Sequence, residues 1–156
     1  MKWREEMVID ADIDNVWSLF LDRNIKKIFP KIEDHVLVEG NDDEAGAKHA
    51  QSYFEGKQLM TYVVDTLVFE KSPERKQRTT SFLMNGSISV VYSFTLEKMA
   101  EGKTRFVYTG SNKGVTVSAK MLLLAGSKGA RQATIQAFME RVRDEALKLE
   151  AEGDET

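Results

Sequence analysis

The sequence predicts an α+β domain, a seven-stranded antiparallel sheet with one long helix laid across it. Three observations predict this: runs of alternating apolar and polar residues from the start of the chain to about residue 111, two short helical stretches after the first run, and a long amphipathic stretch at the end. The last of these, Val117 to Glu150, organises the rest. At helical spacing Met121, Leu124, Lys128, Arg131, Ile135, Phe138, Met139, Val142, Ala146 and Leu149 form one stripe. The opposite face holds Gly126, Ala130, Ala133, Ala137, Glu140 and Asp144, small or charged residues that suit solvent. Two glycines at positions 126 and 129 cost about 1 kcal/mol each relative to alanine, so a bend is expected there.

The first strand, Trp3 to Ile9, alternates Trp3, Glu5, Met7 and Ile9 against Arg4, Glu6 and Val8. Asp12 caps a short helix, because its carboxylate reaches free first-turn amides and Ile13, Val16, Trp17, Phe20 and Leu21 follow at helical spacing. A second short helix, about Asn24 to Phe29, is stopped by Pro30. Six strands follow, roughly 32–39, 47–55, 58–70, 77–84, 87–98 and 103–111, each ended by turn residues. Asn85-Gly86 reads as a two-residue hairpin turn that pairs Met84 with Ser87. That register puts Leu83 opposite Ile88, Ser81 opposite Val90 and Thr79 opposite Tyr92 on the face toward the long helix, with Arg78 and Phe82 on the other. An even register at the next hairpin adds Phe106 and Tyr108 to the helix-facing side. That face then mixes aromatics with hydroxyls, as pockets do and as solid cores with bonded hydroxyls also do.

With 156 residues and 42% apolar composition the chain fits one domain, residues 1–156, with residues 151–156 read as a disordered acidic tail. Net charge is −3 and the basic residues are scattered, which disfavours nucleic acid. No apolar run approaches the roughly 20 residues of a spanning helix, and the first residues lack a signal-peptide core, so a cytoplasmic location is expected. Cysteine is absent, which removes disulfides, thiol nucleophiles and thiolate metal sites.

The order of elements resembles the helix-grip fold of the START-like (SRPBCC) superfamily, which includes the major birch pollen allergen, START lipid carriers and the polyketide cyclase/dehydrase-type family. The residues that carry the resemblance are Ile9-Asp10-Ala11 running into Val16-Trp17, the Phe54-Glu55-Gly56 turn, Tyr92-Ser93-Phe94-Thr95-Leu96, Gly102-Lys103-Thr104-Arg105-Phe106 and the closing helix. The resemblance covers residues 3 to 150. It implies a curved sheet gripping the long helix, with a cavity between them for a lipid, polyketide or other apolar molecule. It supplies no catalytic motif.

Ser81, Val90, Tyr92, Phe94, Phe106, Tyr108, Leu124, Lys128, Arg131 and Ile135 are the expected ligand-binding residues. Lys128 and Arg131, on the inward stripe of the helix, either clamp an anionic head group at the cavity mouth or snorkel. His35 and His49 are expected on one face of neighbouring strands, too few ligands for a metal. No metal and no cofactor are expected. Asp65 is a carboxylate of undetermined face, and Tyr53 and Tyr62 offer further hydroxyls. Leu122 and Leu123, on the outward side, suggest a homodimer contact or a lip for lipid. The leading reading is a binding or carrier protein for a small apolar or amphipathic molecule. The alternatives are a polyketide cyclase-type enzyme, in which Tyr92, Tyr108 and Asp65 orient and protonate an enolisable substrate, and a ligand-regulated interaction module.

Overall fold

A computed structural model describes residues 1–84, 86–115 and 128–154. The strands are β1 (Lys2–Ile9), β2 (Ile32–Glu39), β3 (Lys48–Glu55), β4 (Gln58–Lys71), β5 (Arg75–Met84), β6 (Ile88–Ala100) and β7 (Lys103–Gly114). They form a single antiparallel sheet in the order β1-β7-β6-β5-β4-β3-β2. Two short helices, α1 (Ile13–Ser18) and α2 (Ile25–Ile28), flank a 3-10 turn at Asp22–Asn24, and α3 (Lys128–Asp154) ends the fold. The Asp12 side chain caps α1 as expected, accepting from the Asp14 N–H at 3.2 Å.

The α3 stripe packs as its spacing predicts, with Val142 and Ala146 fully buried and Met139 nearly so, while Ala133, Ala137 and Asp144 are exposed. Phe138 reaches Phe29, Phe94 and Tyr108 with ring centroids 4.8, 5.6 and 5.0 Å away. Beneath them Phe20, Phe94 and Phe106 form an aromatic centre that joins α1 to the sheet. At the far end of α3 Glu150 Oε1 accepts from the Asp12 N–H at 2.6 Å and from Asn15 Nδ2 at 2.7 Å, tying the helix to the start of α1. Helix α3 continues through Asp154, so residues 151–154 are helical and not the disordered tail expected from their charge. The expected helix start at Val117 and the glycine at position 126 lie outside the described residues.

The β5–β6 register differs from the expected one by a single residue. Met84 pairs with Ile88, the Ser87 N–H bonds the Met84 carbonyl at 3.0 Å, and Gly86 has φ 66°. The strands are therefore joined by three residues, the hairpin in which a left-handed residue closes the turn with a bulge. A one-residue slip exchanges the two faces of β5. Ser81, paired with Val91 and Asp65, lies on the convex face away from α3, and Thr79 with it. Arg78, Thr80 and Phe82 take the concave side opposite Phe94, Tyr92 and Val90. The β6–β7 hairpin has the expected parity, pairing Leu96 with Phe106 and Phe94 with Tyr108.

On β1, Trp3 lies flat over Gly110 of β7, its strand partner. A Cβ at position 110 would stand 2.1 Å from the indole Cζ2. Gly110→Ala should therefore push the indole off the sheet and cost about 1–3 kcal/mol, the usual penalty for overpacking. Urea denaturation measures it, and an unchanged midpoint would mean that the ring shifts without resistance.

Candidate functional site

Between the concave face and α3 lies a cavity of about 660 Å³. Val90, Phe82, Met84, Ile135 and Phe138 make its apolar walls, and Phe29 to Ile32 close one side. Its uncharged polar side chains are Tyr53, Tyr62, Tyr92, Tyr108 and Thr134, with Gln51 and Trp3 beside them. Two cations line it as well, Lys31, which is exposed, and Arg141, half-buried on α3 and donating to the Ile28 carbonyl at 3.2 Å. No carboxylate occurs among the described lining residues.

Three of these phenols, Tyr62, Tyr92 and Tyr108, are held in their protonated form. Burial pushes Tyr62 up to about 12, helped by Tyr92 nearby and opposed by the hydrogen bond from Gln51. Burial also raises Tyr108 and Tyr92, the latter against the Thr80 hydroxyl beside it. A phenol in this state donates a hydrogen bond and does not serve as a base near neutral pH. The Trp3 indole N–H lies near the Tyr108 hydroxyl, yet it is buried without a hydrogen bond of good geometry.

Behind Tyr62 the hydrogen bonds continue into a buried charged cluster. Gln51 Nε2 donates to the Tyr62 oxygen at 2.8 Å, and Gln51 Oε1 stands 2.7 Å from His35 Nδ1. His35 Nε2 is 2.7 Å from Asp22 Oδ1, which also accepts from Arg78 NH2 at 2.7 Å. Asp22 and Asp43 exchange bonds, each backbone N–H donating to the other's carboxylate at 2.8 and 2.7 Å, and this holds Asp43 at φ 57°. Arg78 also donates to the Phe20 carbonyl. Burial alone would raise the Asp22 carboxyl, but the His35 bond and the Arg78 guanidinium overcome it and hold the group well below the usual carboxylate range. The sequence reading missed Asp22 and Arg78. Arg78 was turned outward by the shifted hairpin register, and Asp22 sits in a 3-10 turn whose three residues carry no periodicity.

His35, His49 and Asp22 bring their ligand atoms within 4.8 Å of one another, the one such trio among the described residues. Its geometry is that of hydrogen bonding. The imidazole rings stack 4.2 Å apart and 8° from parallel, so an ion in the plane of one ring, where its lone pair points, lies well out of the plane of the other. Asp22 Oδ1 is already occupied by a guanidinium. His49 Nε2 instead meets Asp42 Oδ1 at 2.7 Å.

Of the expected ligand-binding residues, Val90, Tyr92, Tyr108 and Ile135 line the cavity. Phe94 and Phe106 are buried behind it in the aromatic core. Ser81 is on the opposite face of the sheet, a correction that follows from the three-residue hairpin. Arg131 is half-buried on α3 and is not among the described lining residues. Leu124, the Lys128 side chain, Leu122 and Leu123 lie outside what the structure describes. Asp65 is on the convex face, bonded to Lys48 at 2.6 Å, and so does not reach the cavity.

An open antiparallel sheet of seven strands, closed by a C-terminal helix and interrupted after its first strand by two short helices, decides the architecture. The chain has the helix-grip fold. Solved structures with this helix-grip arrangement superpose on nearly all of it. A hypothetical protein, jhp0584, from Helicobacter pylori matches with a TM-score of 0.74 at 15% identity, over 94% of this chain and 88% of that one. Major latex-like protein 151 from Panax ginseng matches at 0.69 and 16%, over 94% and 97%. Norcoclaurine synthase from Thalictrum flavum, solved with dopamine and hydroxybenzaldehyde, matches at 0.65 and 9%, over 95% and 87%. No family model and no curated protein matches the sequence. No described helix is long and apolar enough to cross a membrane.

Proposed function

We propose that the chain binds a small amphipathic molecule, lipid- or polyketide-like, whose apolar body lies between the sheet and α3 and whose head group is acidic. The observation that carries this reading is the polar lining: cations and hydrogen-bond donors, with no described carboxylate to oppose an anion. An apolar wall with a few convergent polar groups is the usual build of a ligand site. Lys31 and Arg141 take the clamp role that the sequence suggested for Lys128 and Arg131. The ligands bound by norcoclaurine synthase are aromatic, which agrees with walls built largely of rings.

Calorimetry with decanoic acid and decanol at neutral pH tests it, because the tails are equal and only the acid carries charge. Charge-assisted hydrogen bonds contribute about 1.5–3 kcal/mol when shielded and far less in open water, so the acid should bind about tenfold tighter or better. Lys31→Met with Arg141→Met should erase that preference and leave decanol binding nearly unchanged. Equal binding of acid and alcohol by the unaltered protein would refute the acidic head group.

A cyclase-type enzyme is the second reading, favoured by three phenols that stay protonated and face one space. Such a reaction also needs a group to accept the substrate proton. The described lining holds no carboxylate or imidazole for that step, and binding therefore ranks first.

A further inference from the structure

The convex face of the sheet is built in two halves. Over β6 and β7 it carries Ser89, Ser93, Thr95, Thr109 and Ser111, the composition expected where one side of an antiparallel sheet meets water. Over β2 to β5 it carries Val36, Phe54, Leu59, Val63, Leu67 and Leu83, each between 47% and 55% exposed. These are six of the twelve large apolar residues that stay exposed among the described residues, gathered on one side of four neighbouring strands. Half-exposed side chains of this size present roughly 500 Å² of apolar surface, a size at which such patches are usually interaction sites. It is also about the apolar share that one partner gives to a standard protein interface.

The strand register arranges these residues evenly about the line between β3 and β4. Across that line Lys48 pairs with Asp65, Ala50 with Val63 and Phe54 with Leu59. One strand further out, Val36 stands beside Ala50 on β2, and Leu83 stands beside Val63 on β5, because Val64 pairs with Phe82. A second copy, turned by a two-fold axis along that line, lays its β4 on β3 and its β5 on β2. Phe54 of one copy then covers Leu59 of the other, Val36 covers Leu83, and Ala50 covers Val63. Sheets that stack this way cross at about 30°, which a small tilt of the axis supplies.

The charged row fits the same operation. Lys48 and Asp65 bond each other at 2.6 Å and remain 44% and 37% exposed, so the pair meets its own copy in reverse order, cation over anion. Glu39, paired with Lys48 on β2, comes over Ser81, which carries no charge. A membrane surface fits less well, because the exposed acids Asp34 and Glu39 on β2 and a net charge of −3 repel anionic lipids.

We propose that a second copy of this chain covers the apolar half of the convex face, forming a back-to-back dimer about the line between β3 and β4. The cavity lies on the other side of the sheet, so the dimer leaves both cavities clear and does not depend on what they bind.

Sedimentation velocity between about 1 and about 200 μM should show a monomer–dimer equilibrium. Val63→Lys and Leu83→Lys, at positions half exposed in the single copy, should keep the thermal midpoint of the fold and weaken dimerisation about 30-fold or more, as loss of an interface anchor does. The charged row gives the sharper measurement. Lys48→Glu sets acids against acids and Asp65→Lys sets cations against cations, so each variant alone should dimerise about 30-fold more weakly. An equimolar mixture of the two should recover the unaltered strength. A chain that stays monomeric at about 200 μM overturns the proposal and leaves the face to a lipid surface or another protein, which phosphatidylcholine vesicles would distinguish. A dimer that survives both lysine substitutions also overturns it, since the contact then lies elsewhere, as at the free edge of β2. So does a mixture of the charge variants that dimerises no better than each alone, because Lys48 and Asp65 then do not face each other across the axis.

Discussion

Asp22→Asn should lower the stability of the fold by about 3–5 kcal/mol, the cost of leaving a buried charge without its partner. The Asp22 and Arg78 side chains are each 2% exposed, and the asparagine amide is nearly isosteric with the carboxylate, so the loss reports charge and not volume. Arg78 would keep the Phe20 carbonyl and, at 3.4 Å, the Thr66 hydroxyl, neither of which neutralises it. Asp43, 4.0 Å from NH1, is too far for a full ion pair. Urea denaturation at neutral pH measures the loss, and a midpoint equal to that of the unaltered protein would mean that the guanidinium reaches water. Adding Arg78→Met should recover part of the loss, since the second charge is then gone too. The pH dependence has a definite sign. The folded Asp22 carboxyl is held below its unfolded value, so between those values the unfolded chain binds the proton and the folded chain does not. Its stabilisation is present above about pH 5 and fades as pH falls toward the folded value. The difference between the unaltered protein and Asp22→Asn should shrink below about pH 4.

Periodicity carried the reading of the fold because most of this chain is half-buried strand or one-sided helix, where the burial pattern repeats with the backbone. Ile88 to Leu96 alternates without interruption, and Val90 and Tyr92 line the cavity whichever way the neighbouring hairpin closes. On α3 the stripe through Ile135, Phe138, Met139, Val142 and Ala146 is visible because each is apolar. The charged cluster was illegible for two physical reasons. Asn-Gly permits either a two-residue or a three-residue loop, and the choice decides whether Arg78 meets solvent or Asp22. A sequence in which β5 alternates Arg78, Thr80 and Phe82 against Gln77, Thr79 and Ser81 gives no hydrophobic reason to prefer one face. The buried partner of Arg78 is brought from 56 positions away by a turn, beyond the reach of any local pattern.

Two substitutions one turn apart on α3 should behave differently, and the difference depends on where the cavity ends. Val142 is fully buried and is not among the cavity-lining residues. An aspartate there has no partner and no access to water, and the cost of several kcal/mol is a large share of the roughly 5–15 kcal/mol a domain has, so Val142→Asp should unfold the protein. Phe138 is almost as buried, at 6%, but its ring forms part of the cavity wall, close to Arg141 and to the mouth where Ala137 is exposed. Phe138→Asp should therefore destabilise by the lost aromatic packing, about 3–5 kcal/mol, while its carboxylate escapes the full desolvation cost through the cavity and Arg141. Thermal and urea unfolding of the two variants should rank Val142→Asp well below Phe138→Asp. If both unfold alike, the cavity wall at Phe138 is dry and closed, and a head group entering beside Arg141 would face the same barrier. If Val142→Asp keeps its midpoint, the stripe does not face the sheet and the grip of α3 on the core is wrongly phased.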